Sequence, residues 1–383
     1  MRRCLRIIFL VLFLSCTCGC QEALTWSGAY IYQAETKAPD LKTAGQLVRE
    51  GLYARPRIRV GYLPSPTLGT VFSGPQELGK HGYRPNLSER NGLVYTCKAG
   101  PIDIGHARKA ADWTVFLAAK TYQNIMNDKA DFSFKLYEPS QYFVRITYPD
   151  NWKDLTQEDK EYLAFEVSVE LGRYFAFAGM TWHEIITWFG FNSKGFEPEH
   201  PSAFTWEESF SNLFGTYIAV LALQDTQHTY NEAMTLAFDS ELQKLNAQPG
   251  YVSRRAGESV RGLWFTGDFF YIVMKKRNFD LGLEDGLITP ALIPSVSECE
   301  EAAAQPYSVP DLEFVTEYGF SVKFEIEPKI WEENTILDVV YPDGHRRKKR
   351  IEPVVHLAPI MDYIREDAVG RYGPDVDLSN QSE

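Results

Sequence analysis

Residues 156–191 constrain the fold most. From Tyr162 onward this run is apolar nearly all round, which marks a helix buried on every side rather than one lying on a surface. At the helical repeat its few polar side chains fall in one arc: Glu166, Glu170, Arg173, Glu184 and Thr187. A polar arc on a buried helix must be paired or must line a wet cavity, because an isolated buried charge costs on the order of several kcal/mol. Gly172 and Gly179 predict a kink or a break within the run. Covering such a helix takes a large core. A chain of 383 residues, 44% hydrophobic and 14% aromatic, supplies one large core or two smaller ones.

The flanking segments are read by period and punctuation. Residues 42–52 predict a short helix. "RPRIRV" alternates at Ile58 and Val60 and predicts a strand, followed by a long ordered loop rich in Gly and Pro. "LVYTCKAG" predicts another strand, ended by Gly100-Pro101. Asp103 then caps a helix whose inward stripe holds His106, Ala110, Trp113 and Leu117, with Arg108 and Asp112 paired at i,i+4 on another face. "FSFKLYEPSQYFVRITYP" predicts two strands. A capping box, Thr205 to Glu208, opens a second core helix whose polar arc carries Glu207, Glu208, Ser211, Asn212 and Gly215, and Thr229 to Glu232 opens another. "GESVRGLWFTGDFFYIVMKKRNF" mixes strand and helix signals. From Pro310 two alternating segments are joined by a turn at Asp343-Gly344, before a last helix over residues 358–372. The expectation is an α+β fold, with a buried helical core, strands before it and a β-rich C-terminal portion.

The N-terminus carries a basic start, "MRRCLR", and an apolar run, "IIFLVLFL", of signal-peptide length that is too short to span a bilayer. "SCTCGC" follows, and a cysteine after a small residue in that place resembles a lipobox. Cys20 after Gly19 is the favoured lipidation site and Cys16 after Ser15 the alternative; neither has the preferred Leu three positions earlier. The division expected is a signal peptide at 1–19, a lipidated tether at 20–50, a mainly helical core at 51–305 and the β-rich portion with its final helix at 306–383, packed on the core. The net charge is −12, and cleavage removes Arg2, Arg3 and Arg6 as well. A chain this acidic is a poor ligand for nucleic acid. The expected partner is the membrane itself, through the lipid, with Gln21 after Cys20 directing the protein to the outer membrane, facing the periplasm; protein partners are unknown. Beyond the leader only Cys97 and Cys299 remain, and in an oxidising compartment they either pair or stay as two buried thiols.

Chemistry is suggested by "GMTWHEIITWFGF" and "SAFTWEESFSNLFG". A zinc peptidase helix places His-Glu-x-x-His on one face, and here His183-Glu184 is followed by Thr187, which cannot replace the second histidine. A metal hydrolase needs three protein ligands, an open position and a carboxylate to take the proton of the attacking water. Drawn from three helices, the candidate ligands are His106, His183 and Glu207 or Glu208, with Glu184 as base beside His183 and zinc as the fitting ion. Asp103, Arg108, Asp112, Arg173, Ser211 and Asn212 complete the polar set. The competing reading is a histidine satisfied in the core, with Glu184 paired to Arg173 or to a helix-end amide, and Glu207 and Glu208 favouring a helix dipole.

"RNGLVYTCKAGPIDIGHARKAADWT", "HEIITWFGF" and "SAFTWEESFSNLFG" behind such a leader resemble an uncharacterised family of bacterial lipoproteins catalogued as a domain of unknown function, number 4056. The resemblance implies a compartment and no activity. Two functions are therefore carried forward. One is a metal-assisted hydrolase of the cell envelope with a composite site between helices. The other is a non-catalytic binding or scaffold lipoprotein with a structural polar core.

Overall fold

A computed structural model of the chain describes residues 41–52, 54–59, 61, 71–191, 202–268, 271–343 and 349–379. The leader with Cys16 and Cys20, most of the tether and the turn at Gly344 lie outside the described residues. The fold is α+β.

Helix α1 (Ala44–Glu50) starts from a complete capping box between Thr43 and Gln46. Strands β1 (Leu93–Thr96) and β2 (Gly100–Asp103) form an antiparallel hairpin in which Leu93 faces Asp103. Gly100-Pro101 thus opens the second strand instead of ending the first. The Asp103 side chain accepts hydrogen bonds from the Gly105 and His106 amides at 2.7 and 3.1 Å, and α2 (Ile104–Met126) begins there as expected. Strands β3 (Asp131–Phe134) and β4 (Gln141–Thr147) follow. Thr156 caps α3 (Gln157–Trp188), and then come α4 (Glu208–Gln224) and α5 (Tyr230–Lys244), the latter with the predicted Thr229–Glu232 box. The mixed stretch resolves into α6 (Gly250–Ser259) and a hairpin of β5 (Phe265–Asp268) with β6 (Tyr271–Met274).

In the C-terminal portion β7 (Leu287–Ile288) pairs with β8 (Tyr307–Ser308), ahead of α7 (Glu313–Glu317), β9 (Ser321–Glu327), α8 (Glu333–Val340) and α9 (Pro353–Tyr372). This portion keeps one of its two expected strands. Residues 335–340 read as alternating, but Ile336 and Leu337 are both buried on one side of a helix, where a strand would have pointed them apart. Strand β9 joins the β3–β4 hairpin as the third strand of an antiparallel sheet, with Val144 opposite Phe324. The C-terminal portion is therefore stitched to the core by a ladder of backbone hydrogen bonds.

The core centres on α2, α3 and α4. Trp113, Trp182, Phe175, Phe210 and Phe214 are at most 1% exposed, each contributing about 1.5–3 kcal/mol of burial. Helix α3 runs unbroken through Gly172 and Gly179, so the expected interruption there is not a break. Gly172 is instead a crossing point, since a Cβ there would lie 2.6 Å from the Thr114 carbonyl oxygen of α2. Gly215 plays the same part for α4, where a Cβ would meet the Ala107 carbonyl oxygen at 2.0 Å. Both flanks of α2 are thus approached at backbone distance. That brings the first turns of α2 and α4 and the last turns of α3 to one place.

The strand expected at Ile58 and Val60 does not form among the described residues; 55–59 are irregular and Ile58 is exposed. Its arginines are used differently, as described below. Cys97 and Cys299 are joined by a disulfide across 202 residues, with Cα atoms 5.0 Å apart. It closes the segment before β8 onto the β1–β2 hairpin. Among the described residues no helix is long and apolar enough to cross a membrane.

Candidate functional site

Three elements deliver polar side chains to one buried centre. Helix α2 brings Asp103 as its cap and His106 from its first turn. The start of α4 brings Glu207 and Glu208, and the last turns of α3 bring His183 and Glu184. Asp103, His106 and Glu207 each offer a ligand atom, and these atoms lie within 4.8 Å of one another. All three residues are buried, Asp103 and Glu207 to 0% and 1% exposure.

The His106 ring is held from both ends. Its Nδ1 lies 3.6 Å from Asp103 Oδ2, and its Nε2 lies 3.3 Å from Glu208 Oε1. His106 Nδ1 and Glu207 Oε2 are buried without a hydrogen-bond partner among the described residues. Glu207 Oε1 accepts from the Thr205 hydroxyl at 2.8 Å, and the same hydroxyl lies 3.2 Å from Glu208 Oε2. Ser211 Oγ accepts from the Asp103 amide at 2.9 Å and donates to the Glu207 carbonyl at 2.6 Å. That pair of bonds fixes the start of α2 against the start of α4.

Electrostatics follow from crowding in a dry place. Burial, and then the neighbouring Asp103 carboxylate, push the Glu207 carboxyl well above its ordinary range. Burial, then Glu184 and Glu207, do the same to Glu208. Burial, then Lys109 and His183, drive the His106 imidazole well below its ordinary value. Without a cation the surroundings therefore favour the protonated forms of Glu207 and Glu208 and the neutral form of His106. A bound divalent ion would invert this, favouring carboxylates over carboxylic acids.

Glu184 stands behind this group. Its Oε2 accepts from the Phe204 amide at 3.3 Å, and its carboxyl hydrogen-bonds Glu208. Phe204 has a left-handed backbone, φ +56°, in the turn that leads into α4. Glu184 therefore positions the turn that presents Glu207 and Glu208. Glu184→Gln keeps an acceptor for that amide and a donor for Glu208, so the expected cost is within about 1 kcal/mol. Glu184→Ala strands the amide and should cost about 1–3 kcal/mol, read by urea unfolding. Equal effects of the two substitutions would remove this role.

The other expected residues distribute as follows. His183 is half-buried, with its ring edge-on to Phe191 at 6.3 Å, and does not join the three-residue group, whose third member is Asp103. Burial, then Lys109, lower its imidazole to about 3. Arg173 is remote from Glu184, because eleven residues of one unbroken helix span roughly 16 Å. It pairs with Glu170 at 3.7 Å and donates to the Ser308 carbonyl at 2.8 Å. Asn212 is buried with Oδ1 unpartnered among the described residues.

Arg108 and Asp112 are not partners in a hydrogen bond: Arg108 is held by the loop over residues 72–92, and Asp112 by His81 of that loop together with Arg59 and Tyr230. Arg108 donates to the Arg90 carbonyl and Asn91 Oδ1 at 2.8 and 3.0 Å. Asp112, 0% exposed, accepts from Arg59, from Tyr230 and, at 3.0 Å, from His81 Nε2. Arg59 also donates to Glu89 at 3.1 Å. Burial alone would raise the Asp112 carboxyl, but Arg59 and His81 hold it below its ordinary value.

Sequence reading missed Lys109 and Glu138. Lys109 is 7% exposed, one turn beyond His106, and acts electrostatically on His106, His183, Glu138 and Glu208. The i,i+3 spacing of His106 and Lys109 was a legible signal, since residues so spaced are neighbours on a helix. Glu138 lies in the β3–β4 connection, where it accepts from the Tyr142 hydroxyl and burial raises its carboxyl. Nothing in its local sequence announces that burial.

A family model described as a protein of unknown function, DUF4056, matches residues 76–285, a span that contains every member of the centre. Comparison with curated proteins and with solved structures returns no match.

Proposed function

This chain belongs to the DUF4056 family of proteins of unknown function, and on that premise we propose that it binds a divalent metal ion at Asp103, His106 and Glu207 and uses it in a hydrolytic reaction. The observation that carries the reading is the pair of buried, unpartnered ligand atoms, His106 Nδ1 and Glu207 Oε2, beside the Asp103 carboxylate. Orphaned buried polar atoms are costly unless something satisfies them, at roughly 1–3 kcal/mol each. One histidine and two carboxylates suit zinc or another first-row ion. Glu208, within reach of His106 Nε2, supplies the outer carboxylate that orients a metal-binding imidazole.

Hydrolysis is the class of chemistry such a set serves, because the ion would activate water and polarise the bond under attack. Once a bound ion favours its carboxylate form, Glu208 would be the group of this chain to accept a proton. Its carboxyl is raised by burial and shares a hydrogen bond with Glu184. The competing function, a scaffold with a structural polar core, is favoured by one observation: Ser211 ties Asp103 to Glu207 without any ion.

Metal binding separates the two. The purified mature chain should take up one equivalent of zinc in competition with a chromogenic chelator, and His106→Ala and Glu207→Gln should each abolish uptake while remaining folded. Zinc uptake that survives both substitutions removes the site.

We further propose that the chain is an outer-membrane lipoprotein facing the periplasm. The basic start, the apolar run and Cys20 support it, and the Cys97–Cys299 disulfide suits an oxidising compartment. Cys20→Ala should leave an unacylated precursor. Normal lipid labelling of that variant, with loss in Cys16→Ala, would move the anchor to Cys16.

A further inference from the structure

We infer that Lys109, with His183 and Thr187, forms an anion-binding subsite next to the proposed metal ligands, and that the substrate presents a compact oxyanion, a carboxylate or a phosphate, to it. The inference deepens the metal reading and rests on it for the ion alongside.

Lys109 lies on α2 one turn after His106 and is more than nine-tenths buried. Its Nζ is not among the fully enclosed polar atoms, so from that buried position the ammonium keeps an opening. Among the described residues Lys109 makes no ion pair or hydrogen bond, although it acts electrostatically on two acids and two histidines around it. The nearby acids are otherwise engaged: Glu138 with Tyr142, and Glu208 with His106, Thr205 and Glu184. The cation therefore has neighbours and no counter-ion.

Helix α3 supplies the opposite wall. His183 and Thr187 are spaced i,i+4 and so share a face. Thr187 is 3% exposed, and its hydroxyl has no partner among the described residues. His183 reaches partial exposure. An ammonium, a hydroxyl and an imidazole can each donate to oxygen, and the charge of the ammonium disfavours a cation beside it. The set also explains why Thr187 replaces the second histidine of a zinc peptidase helix. Here that face of α3 holds the substrate's oxygens while α2 and α4 hold the ion.

The test is calorimetric titration of the folded mature chain, zinc-loaded and zinc-free, with inorganic phosphate and with acetate. One of the two should bind the wild type, and the one that binds identifies the class. Lys109→Met should weaken that binding about tenfold to hundredfold, the worth of one charge-assisted hydrogen bond, with zinc uptake unchanged. Lys109→Arg should keep most of the affinity. Should Lys109→Met not fold, Thr187→Val reads the same subsite through a smaller loss. Wild type that takes zinc but neither anion overturns this inference alone. Anion binding that depends on Lys109 in a chain that takes no zinc leaves it standing and removes the metal reading instead. Binding that is equal in wild type and both Lys109 variants overturns it too.

Discussion

Asp112→Ala is expected to lower the stability of the folded chain by about 3–5 kcal/mol, the usual penalty for removing one partner of a buried charged network. Asp112 is the single acceptor on which Arg59, His81 and Tyr230 converge, and its side chain is fully buried. Removing it leaves the Arg59 guanidinium with Glu89 and the Gly82 carbonyl, and leaves two other donors unpaired. These residues come from the loop before β1, from α2 and from α5, so the loss should loosen the cover on the polar face of α2. Urea unfolding reads the effect directly. Arg145→Ala makes the control, because its partner Asp131 is on the surface and both side chains are more than half exposed. That variant should unfold at the wild-type midpoint. Equal effects of the two substitutions would mean the buried network is dispensable.

The metal-free chain is expected to lose stability as pH rises from 6.5 to 8.5, and zinc is expected to abolish that loss. Glu207 and Glu208 have carboxyls raised well above 4.5, by burial first and by neighbouring carboxylates next. The folded state therefore holds protons that the unfolded state has released, and stability falls as pH climbs toward the folded values. Below 6.5 an opposite trend competes. His81, His106 and His183 are all depressed by burial, so the unfolded state takes up more protons there and stability rises with pH. Well above 6.5 the histidines are neutral in both states and the carboxyl trend dominates. Each fully raised carboxyl contributes up to about 1.4 kcal/mol per pH unit. An ion at Asp103, His106 and Glu207 supplies the countercharge, removes the reason to hold those protons and flattens the slope. Chemical denaturation at both pH values, with zinc and with chelator, decides it. A slope that zinc does not alter would speak against a metal there.

The features legible in sequence were those set by local bonding. Asp103 caps α2 through its own side chain, and Thr229 with Glu232 closes a box within four residues, so both could be read without knowing the rest of the chain. The all-round apolar character of α3 likewise fixed its burial. What failed depended on distant contacts. Gly172 and Gly179 look like breaks until α2 is seen lying against Gly172, and Leu136 of the β3–β4 connection against Gly179, where a missing Cβ is a condition of close packing. Arg108 and Asp112 look like a pair until a loop with no period of its own takes Arg108, and Arg59, His81 and Tyr230 take Asp112. In the site, inward-facing His106 and the acids at the start of α4 were legible. Asp103 was read only as part of the wider polar set, because a cap already explained its presence, and its second oxygen toward His106 is a consequence of the β2–α2 bend. Lys109 was overlooked because a lysine on a helix is normally solvated, and here it is buried by α3.

The central claim is that one divalent ion sits between Asp103, His106 and Glu207. Its most direct test is an anomalous difference map from crystals of the zinc-loaded mature chain, collected across the zinc absorption edge. The account predicts a single strong peak at bonding distance, about 2.0–2.2 Å, from His106 Nδ1 and from oxygens of Asp103 and Glu207. A fully occupied peak elsewhere in the molecule, or no peak in crystals whose other groups are well ordered, would contradict it.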